Sequence, residues 1–367
     1  MELRALGSTG LLVSRIGLGM AALGRPGYIN LRHGQDLDGD ISQSSMQARA
    51  HEVLDAAWGS GIRYFDAARS YGLGERFLGD WLATRGVSPE NVTVGSKWGY
   101  RYTANWNVDA ENHEIKEHTL PMLKRQLSES ASILDGYLDL YQIHSATMES
   151  GVLENRDILE ELARLRISGI RIGLSLSGTG QGELLRKAMK VVLDGPRLFE
   201  CVQATWNLLE RSAGPALSEA HAAGMGIIIK EALANGRLTH RNDAADFAPK
   251  LALLREEAER LNVSIDALVI GATLCEPFAD VVLSGAVSTN QLLSNVAGSL
   301  ITLDGGARAR LSEIRRVLRG VLGGAKEVAL ELRTRRSAPL FGARDFCGLV
   351  RSSCRVNAAS QSLLMRP

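Results

Sequence analysis

The strongest constraint on the fold is an eightfold alternation of short apolar runs with longer amphipathic stretches. The runs are predicted β-strands, at Ile16 to Met20, Ile62 to Asp66, Val92 to Lys97, Leu138 to His144, Arg171 to Leu176, Phe199 to Thr205, Gly226 to Lys230 and Val281 to Gly285. The amphipathic stretches are predicted helices, at Ala48 to Trp58, Gly74 to Leu82, Leu120 to Leu134, Leu153 to Leu165, Glu183 to Leu193, Ala216 to Ala223, Leu251 to Leu261, Ile265 to Leu274 and Gln291 to Ala297. The runs are continuous in Val, Ile and Leu, which favours parallel strands buried on both faces.

Closing eight such units gives a (β/α)8 TIM barrel, which needs roughly 250 residues plus insertions. A doubly wound open sheet is the alternative. The two glycine-rich stretches, Gly17 to Gly24 and Gly178 to Gly182, lack the G-x-G-x-x-G spacing of that fold's nucleotide site. We therefore predict an α/β chain with the (β/α)8 barrel.

The chain divides into a barrel and a tail. Residues 1–325 are the predicted barrel domain, and residues 326–367, rich in Arg and Ser, are predicted as a C-terminal tail of unknown order. The connections from Gly24 to Ser45 and from Trp98 to His113 are longer than a barrel requires. Both follow strands, so we expect them on the face where barrel enzymes carry their chemistry.

Composition excludes several classes of protein. Lys and Arg number 42 and Asp and Glu 41, a net charge of +1 that does not suggest a nucleic-acid partner. The longest apolar run, around Ile227, is far shorter than the roughly 20 residues that span a bilayer. The first residues form no secretory signal, and the four widely spaced cysteines suggest neither disulfides nor a zinc site.

His113 to His118 resembles a zinc H-E-x-x-H motif, but its second histidine comes one residue late. We expect a cytoplasmic protein with no metal, membrane or nucleic-acid partner.

Four polar residues lie at or just beyond the ends of successive predicted strands. They are Asp66, Tyr71, Lys97 and His144. Each residue alone has an ordinary structural reading, as a cap, a wall residue or a buried histidine. In a barrel, however, these strand ends converge on one rim, so we expect the four side chains to meet.

Such a cluster suits proton transfer to a carbonyl oxygen. An ammonium beside a phenol favours the phenolate, so we expect Lys97 to lower the pKa of Tyr71 and Asp66 to hold Lys97 charged. A neutral His144 would donate a hydrogen bond to a substrate oxygen.

The sequence also resembles the aldo-keto reductases, in order over roughly residues 1–300. The matching motifs are FDAARSYGLGE, VGSKWG, DLYQIH, GLSLSG, VQATWNLLER and LSGAVSTNQLLSN. In that family these motifs carry a catalytic tetrad, which implies Asp66, Tyr71, Lys97 and His144 here. The resemblance includes a hairpin, Leu3 to Leu6 with Leu11 to Val13, that plugs the barrel bottom in the family.

The resemblance implies a nicotinamide cofactor across the barrel mouth, NADP or alternatively NAD. The implied cofactor-binding residues are Met20, Asp66, Ser175, Gln203, Lys230, Leu233, Gly285, Val287, Ser288, Gln291 and Asn295. Lys230 stands where many members place an aromatic ring, and Gly285 and Gln291 stand where some members have basic residues for a 2′-phosphate. Arg237 or Arg241 could replace those basic residues.

The aromatic residues Trp98, Tyr100 and Trp106 are a predicted substrate wall, with loop packing as the alternative. The function expected from these features is NAD(P)-dependent oxidoreduction between a small-molecule aldehyde, ketone or sugar carbonyl and its alcohol. The alternative is a regulatory subunit that senses the cofactor with little turnover. Oligomeric state and physiological substrate are left open.

Overall fold

The computed structural model describes residues 1–37, 39–193 and 195–314 of the chain. Its strands are β1 (Leu3–Ala5), β2 (Leu12–Ser14), β3 (Ile16–Gly19), β4 (Tyr64–Asp66), β5 (Thr93–Trp98), β6 (Tyr100–Tyr102), β7 (Glu114–Lys116), β8 (Leu138–Ala146), β9 (Arg171–Leu176), β10 (Cys201–Thr205), β11 (Gly226–Lys230) and β12 (Val281–Ser284). Its helices are α1 (His33–Asp36), α2 (Gln43–Gly59), α3 (Gly74–Arg85), α4 (Leu120–Leu134), α5 (Arg156–Ile167), α6 (Gln181–Ala188), α7 (Gly214–Ala222), α8 (Ala248–Arg260), α9 (Ile265–Leu274), α10 (Thr289–Ala297) and α11 (Gly305–Glu313). The predicted tail, residues 326–367, and its boundary lie outside the described residues.

Eight strands close into a parallel barrel, in the order β3, β4, β5, β8, β9, β10, β11 and β12. Strand β12 pairs with β3 to complete the ring. All eight predicted strands are present, and the predicted (β/α)8 fold is confirmed. The strands are buried along most of their length, which explains why the sequence shows continuous apolar runs there.

The hairpin β1–β2 closes the N-terminal end of the barrel. Leu6, at the turn, is fully buried and belongs to a small apolar cluster with residues of the barrel interior, including Ile228 and Val281. Gly7 has φ +51°, and a Cβ atom at this position would collide with the backbone of Gly226. The close approach therefore requires glycine, and the predicted hairpin is confirmed.

Several helix boundaries differ from the predicted ones. Helix α2 begins five residues before the predicted Ala48, because Ser42 caps it by accepting a hydrogen bond from the backbone N–H of Ser45. Helix α6 ends at Ala188, short of the predicted Leu193. The chain turns after α6, and Val192 forms an isolated bridge with Arg197.

Both long connections contain structure that the periodicity did not predict. Helix α1 lies in the connection after β3, and the antiparallel pair β6–β7 forms a hairpin after β5. Glu114, Ile115 and Lys116 of the H-E-x-x-H-like segment form β7, so this segment is not a helix. Neither connection has an apolar periodicity that would reveal these elements.

The strand register sets the position of the site. Asp66 ends β4 and is opposite Gly95 of β5, and two residues later Lys97 is opposite Gln142 of β8. These positions lie toward the C-terminal ends of neighbouring strands, so their side chains meet at one end of the barrel.

Candidate active site

A buried ion pair between Lys97 and Asp66 forms the base of the site. Lys97 Nζ donates to Asp66 Oδ2 at 2.5 Å and to the carbonyl oxygen of Ala67 at 3.0 Å. Both side chains are almost completely buried, at 0% and 2% exposure. Burial lowers the pKa of Lys97 and the Asp66 carboxylate opposes that shift.

The second oxygen of Asp66 accepts three further hydrogen bonds. Tyr64 donates its hydroxyl at 3.2 Å, Gln203 its amide at 2.8 Å and Gln142 its amide at 3.4 Å. These donors compensate for the water that the carboxylate loses on burial. Asp66 is therefore fixed in position, and it fixes the Lys97 ammonium in turn.

Tyr71 lies directly above this pair. Its hydroxyl is 3.3 Å from Lys97 Nζ, and that nitrogen is 4.9 Å from the centre of the Tyr71 ring. The expected lowering of the Tyr71 pKa is wrong: burial raises the pKa well above 10, and the charges of Asp66 and Glu114 raise it further. The ammonium does not prevent this rise because Asp66 largely cancels its charge. Tyr71 is a neutral phenol at neutral pH, so it can donate a proton.

His144 completes the cluster. Its ring lies 5.4 Å from the Tyr71 ring, nearly perpendicular to it, and Ser70 Oγ is 3.2 Å from His144 Nδ1. Burial and the charge of Lys97 lower the pKa of His144 well below 6.5, so the ring is neutral. The Ser70 hydroxyl can donate to Nδ1, and in that tautomer the other ring nitrogen carries the proton and can donate to a substrate oxygen. The structure thus brings together the four residues that the sequence placed at strand ends.

Two further charged residues reach this cluster from the long connections, and the sequence analysis missed both. Arg25, after β3, donates from Nη1 to the carbonyl oxygen of Ser70 at 3.2 Å and to Glu114 Oε2 of β7 at 3.0 Å. Its guanidinium carbon lies 5.8 Å from the centre of the Tyr71 ring and 5.4 Å from that of Tyr28. The only feature of the sequence that pointed to these two residues was the unusual length of the two connections.

Three of the predicted cofactor-binding residues lie on strands or directly after one, at the same end of the barrel. Met20 follows β3 and donates its backbone N–H to the Asp66 carbonyl. Ser175, on β9, accepts at Oγ from the backbone N–H of Ser145 at 2.8 Å. Gln203, on β10, donates to Asp66 as described above. These positions border the tetrad.

A second set of predicted residues lies on the next part of the rim. Ser288 caps α10 through the N–H of Gln291, and Gln291 Oε1 accepts from the N–H of Val287 at 3.0 Å. Asn295 donates to Ser284 Oγ at 2.8 Å, while its own Oδ1 is buried without a hydrogen-bond partner in the described part of the chain. A Cβ at Gly285 would meet only the Asn30 side chain, at 3.9 Å. An unpartnered acceptor, open space at a glycine and a capped helix N-terminus are features that fit a phosphate- and nucleoside-containing cofactor.

Lys230 ends β11 and leads into Leu233. Its Nζ donates to Thr205 Oγ1 at 2.8 Å and to Glu231 Oε1 at 3.1 Å. Burial favours a raised pKa for the half-buried Glu231 carboxylate, but Lys230, Thr205 and Arg237 together hold its pKa below the usual value. Leu233 is partly buried and contacts the apolar core.

Residues 24–37, which we term the strap, extend over this part of the rim. The N–H of Leu31 donates to the carbonyl of Asn235 at 3.0 Å. Asp36 binds Arg241 through both oxygens at 2.5 and 2.6 Å, and its Oδ1 also accepts from Gln291 at 3.1 Å. The sequence analysis missed Asp36, which occupies Arg241 and places a carboxylate beside Gln291.

The predicted substrate wall divides into three different environments. Trp98 is fully buried in the main core and packs against His118 at 5.7 Å between ring centres. It follows Lys97 on the strand and therefore points to the opposite face, which corrects its placement in the wall. Trp106 donates its indole N–H to the carbonyl of Ile41 at 2.6 Å and lines a cavity of about 250 Å³ between the two long connections. Tyr100 lies next to His144, at 5.0 Å between ring centres.

Comparison with known proteins agrees with this geometry. The sequence model of the Aldo/keto reductase family matches residues 15–316. The chain belongs to this family. It is therefore an oxidoreductase that acts on carbonyl and alcohol groups.

Three relatives of this aldo/keto reductase have named activities. It is 25% identical to pyridoxal 4-dehydrogenase of Microbacterium luteolum, over 80% of this chain and 92% of that protein. It is 24% identical to D-threo-aldose 1-dehydrogenase of a Pseudomonas species, over 84% and 98%. It is 25% identical to L-galactose dehydrogenase of Arabidopsis thaliana, over 88% and 95%.

A solved structure supports the fold. The holo form of an aldo-keto reductase from Bacillus halodurans superposes with a TM-score of 0.66 at 21% identity, covering 88% of this chain and 99% of that one. Among the described residues of this aldo/keto reductase, no helix is both long and apolar enough to cross a membrane.

Proposed function

We propose that the chain is an NAD(P)-dependent oxidoreductase that interconverts a small aldehyde, ketone or sugar carbonyl and the corresponding alcohol. The observation that carries this proposal is the position of a neutral phenol and a neutral imidazole over a buried ammonium–carboxylate pair. Two neutral donors side by side suit a carbonyl oxygen that gains negative charge.

Tyr71 is the general acid in this proposal. Its O–H donates to the substrate oxygen, and Lys97, 3.3 Å away, stabilises the phenolate left behind. Asp66 holds Lys97 charged and in position. His144 donates a second hydrogen bond and orients the carbonyl.

The residues of the adjoining rim would hold a nicotinamide cofactor. When bound, that cofactor supplies the hydride. Ser175 and Gln203 are the proposed partners of the carboxamide end, with Met20 and Asp66 beside them and Lys230 and Leu233 near the ring. Gly285, Val287, Ser288, Gln291 and Asn295 are the proposed partners of the adenosine end. NADP and NAD both remain candidates, because Arg241 suits a 2′-phosphate while Asp36 suits ribose hydroxyls.

The Tyr71→Phe variant tests the assignment of the acid. We expect kcat for carbonyl reduction to fall by about 100- to 10,000-fold, as for loss of a general acid. Fluorescence titration with NADPH and NADH should give dissociation constants within about threefold of the wild type, because the ring is retained. Tyr137→Phe is the matched control, since the Tyr137 hydroxyl donates to the Val87 carbonyl away from the site. Near-normal kcat in Tyr71→Phe would contradict the assignment, and wild-type cofactor binding without turnover on a broad carbonyl panel would indicate a sensor.

A further inference from the structure

Arg25 carries a buried donor that nothing in the described part of the chain satisfies. The residue is 7% exposed, and its Nη1 is used by Ser70 and Glu114. Its Nε is buried and has no hydrogen-bond partner among the described residues. An unpaired donor of a buried cation costs stability, so its retention points to a ligand that pairs with it.

This donor lies close to the reacting groups. The Arg25 guanidinium is 5.8 Å from the Tyr71 ring centre. The same Ser70 whose carbonyl Arg25 contacts has its hydroxyl on His144. The Arg25 guanidinium therefore lies beside the two residues that are proposed to hold the substrate carbonyl.

The charges around the site favour a neutral partner over an anion. Three cations that act on Tyr71 or His144 are each paired with a carboxylate. The pairs are Lys97 with Asp66 at 2.5 Å, Arg25 with Glu114 at 3.0 Å and Lys230 with Glu231 at 3.1 Å. An added carboxylate or phosphate would find no unpaired positive charge among these three pairs. A hydroxyl group both donates and accepts, so it can satisfy an arginine N–H and a carboxylate oxygen together.

We propose that Arg25 and Glu114 form a subsite for a hydroxyl group next to the reacting carbonyl, so that the enzyme prefers hydroxyaldehydes and sugars over plain aldehydes. This inference rests on the proposed function and adds its substrate class. In this inference, the two long connections, which supply Arg25 and Glu114, determine substrate preference. The residues at the strand ends carry out the proton transfer.

The test compares two aldehydes of the same carbon number. Glyceraldehyde carries hydroxyls next to its carbonyl and propanal carries none, and the measured quantity is the ratio of their kcat/KM values. In Arg25→Met this ratio should fall about 10- to 100-fold, the range expected for hydrogen bonds to a charged group. Arg25→Lys, which keeps the charge but loses Nε, should also lower the ratio, and Glu114→Gln should lower it less. Arg186→Met is the matched control, because Arg186 pairs with Glu219 on the outer helices and should leave the ratio unchanged.

The outcomes separate this subsite from other roles of Arg25. An equal loss of kcat/KM on both aldehydes would overturn the proposal and indicate a supporting role for Arg25. A larger loss on glyoxylate than on glyceraldehyde would overturn it in favour of an anion subsite. If the wild-type enzyme reduces neither aldehyde nor glyoxylate with NADPH or NADH, the proposed function itself fails. Thermal unfolding by circular dichroism establishes that each variant is folded.

Discussion

At the residue scale, the ion pair between Lys97 and Asp66 governs the protonation of its neighbours. The sequence predicted that these residues meet, since both end strands of the same barrel. It predicted the wrong direction for the Tyr71 pKa shift, because that direction depends on how deeply the phenol is buried and on how fully Asp66 cancels the ammonium. The burial of Tyr71 depends on how the loops pack at this end of the barrel, and it cannot be read from the pattern of residues in the sequence.

The protonation states predict the pH dependence of reduction. The pKa of Tyr71 is raised well above 10, so its phenol stays protonated across neutral pH, and the pKa of His144 is lowered well below 6.5, so its ring stays neutral. We expect kcat for reduction to be nearly constant from about pH 7 to 9 and to fall only well below pH 6.5, where His144 gains a proton. Alcohol oxidation, which needs the phenolate, should instead accelerate steadily with pH. A reduction profile with a midpoint near pH 7 that disappears in Tyr71→Phe would contradict this reading.

The same ion pair predicts a stability effect. Lys97→Met leaves the Asp66 carboxylate buried without its cation, so we expect the free energy of unfolding to fall by about 3–5 kcal/mol. The double variant Lys97→Met/Asp66→Asn removes both charges and should recover a large part of that loss. Urea unfolding followed by circular dichroism measures both. Equal destabilisation of the single and double variants would show that lost packing, and not the isolated charge, is responsible.

At the element scale, the strands and their order follow from the sequence, whereas the two long connections do not. Apolar periodicity located all eight barrel strands because each is buried on both faces. The strap and the β6–β7 hairpin are polar and irregular, so their side chains Arg25, Asp36 and Glu114 could not be placed. These connections supply contacts that the strand-end motifs do not contain.

The strap predicts a change in cofactor preference. Asp36→Asn removes the carboxylate beside Gln291 and releases Arg241 for a 2′-phosphate. We expect the ratio of the NADPH to NADH dissociation constants to shift about tenfold toward NADPH, measured by fluorescence titration. Asp243→Asn is the control, because Asp243 is 71% exposed and pairs with Arg32 on the same strap. A shift of the same size in both variants would attribute the effect to loosening of the strap.

At the scale of the whole molecule, the barrel separates stability from chemistry. The hairpin β1–β2 seals the N-terminal end, while the tetrad lies at the C-terminal ends of the strands. Its turn glycine combines a positive φ with close contact to the backbone of Gly226.

This separation predicts a variant that affects folding alone. Gly7→Ala should lower the free energy of unfolding by more than the roughly 1 kcal/mol expected for a positive φ, because the added Cβ also meets the Gly226 backbone. Gly86→Ala is the control, since Gly86 has φ +59° with open space around its Cβ position. Urea unfolding measures both, and kcat at saturating substrate should remain within about twofold of the wild type. A larger effect at Gly86 than at Gly7 would contradict the steric argument.

The hairpin β6–β7 forms a two-stranded sheet of its own, separate from the barrel sheet, yet it carries Glu114 to within 3.0 Å of Arg25. The eight barrel strands pair without this hairpin, so its side chains can be exchanged while the barrel sheet keeps its pairing. Under the proposed subsite, exchange of this hairpin would change which hydroxylated substrates are accepted and leave the strand-end residues unchanged.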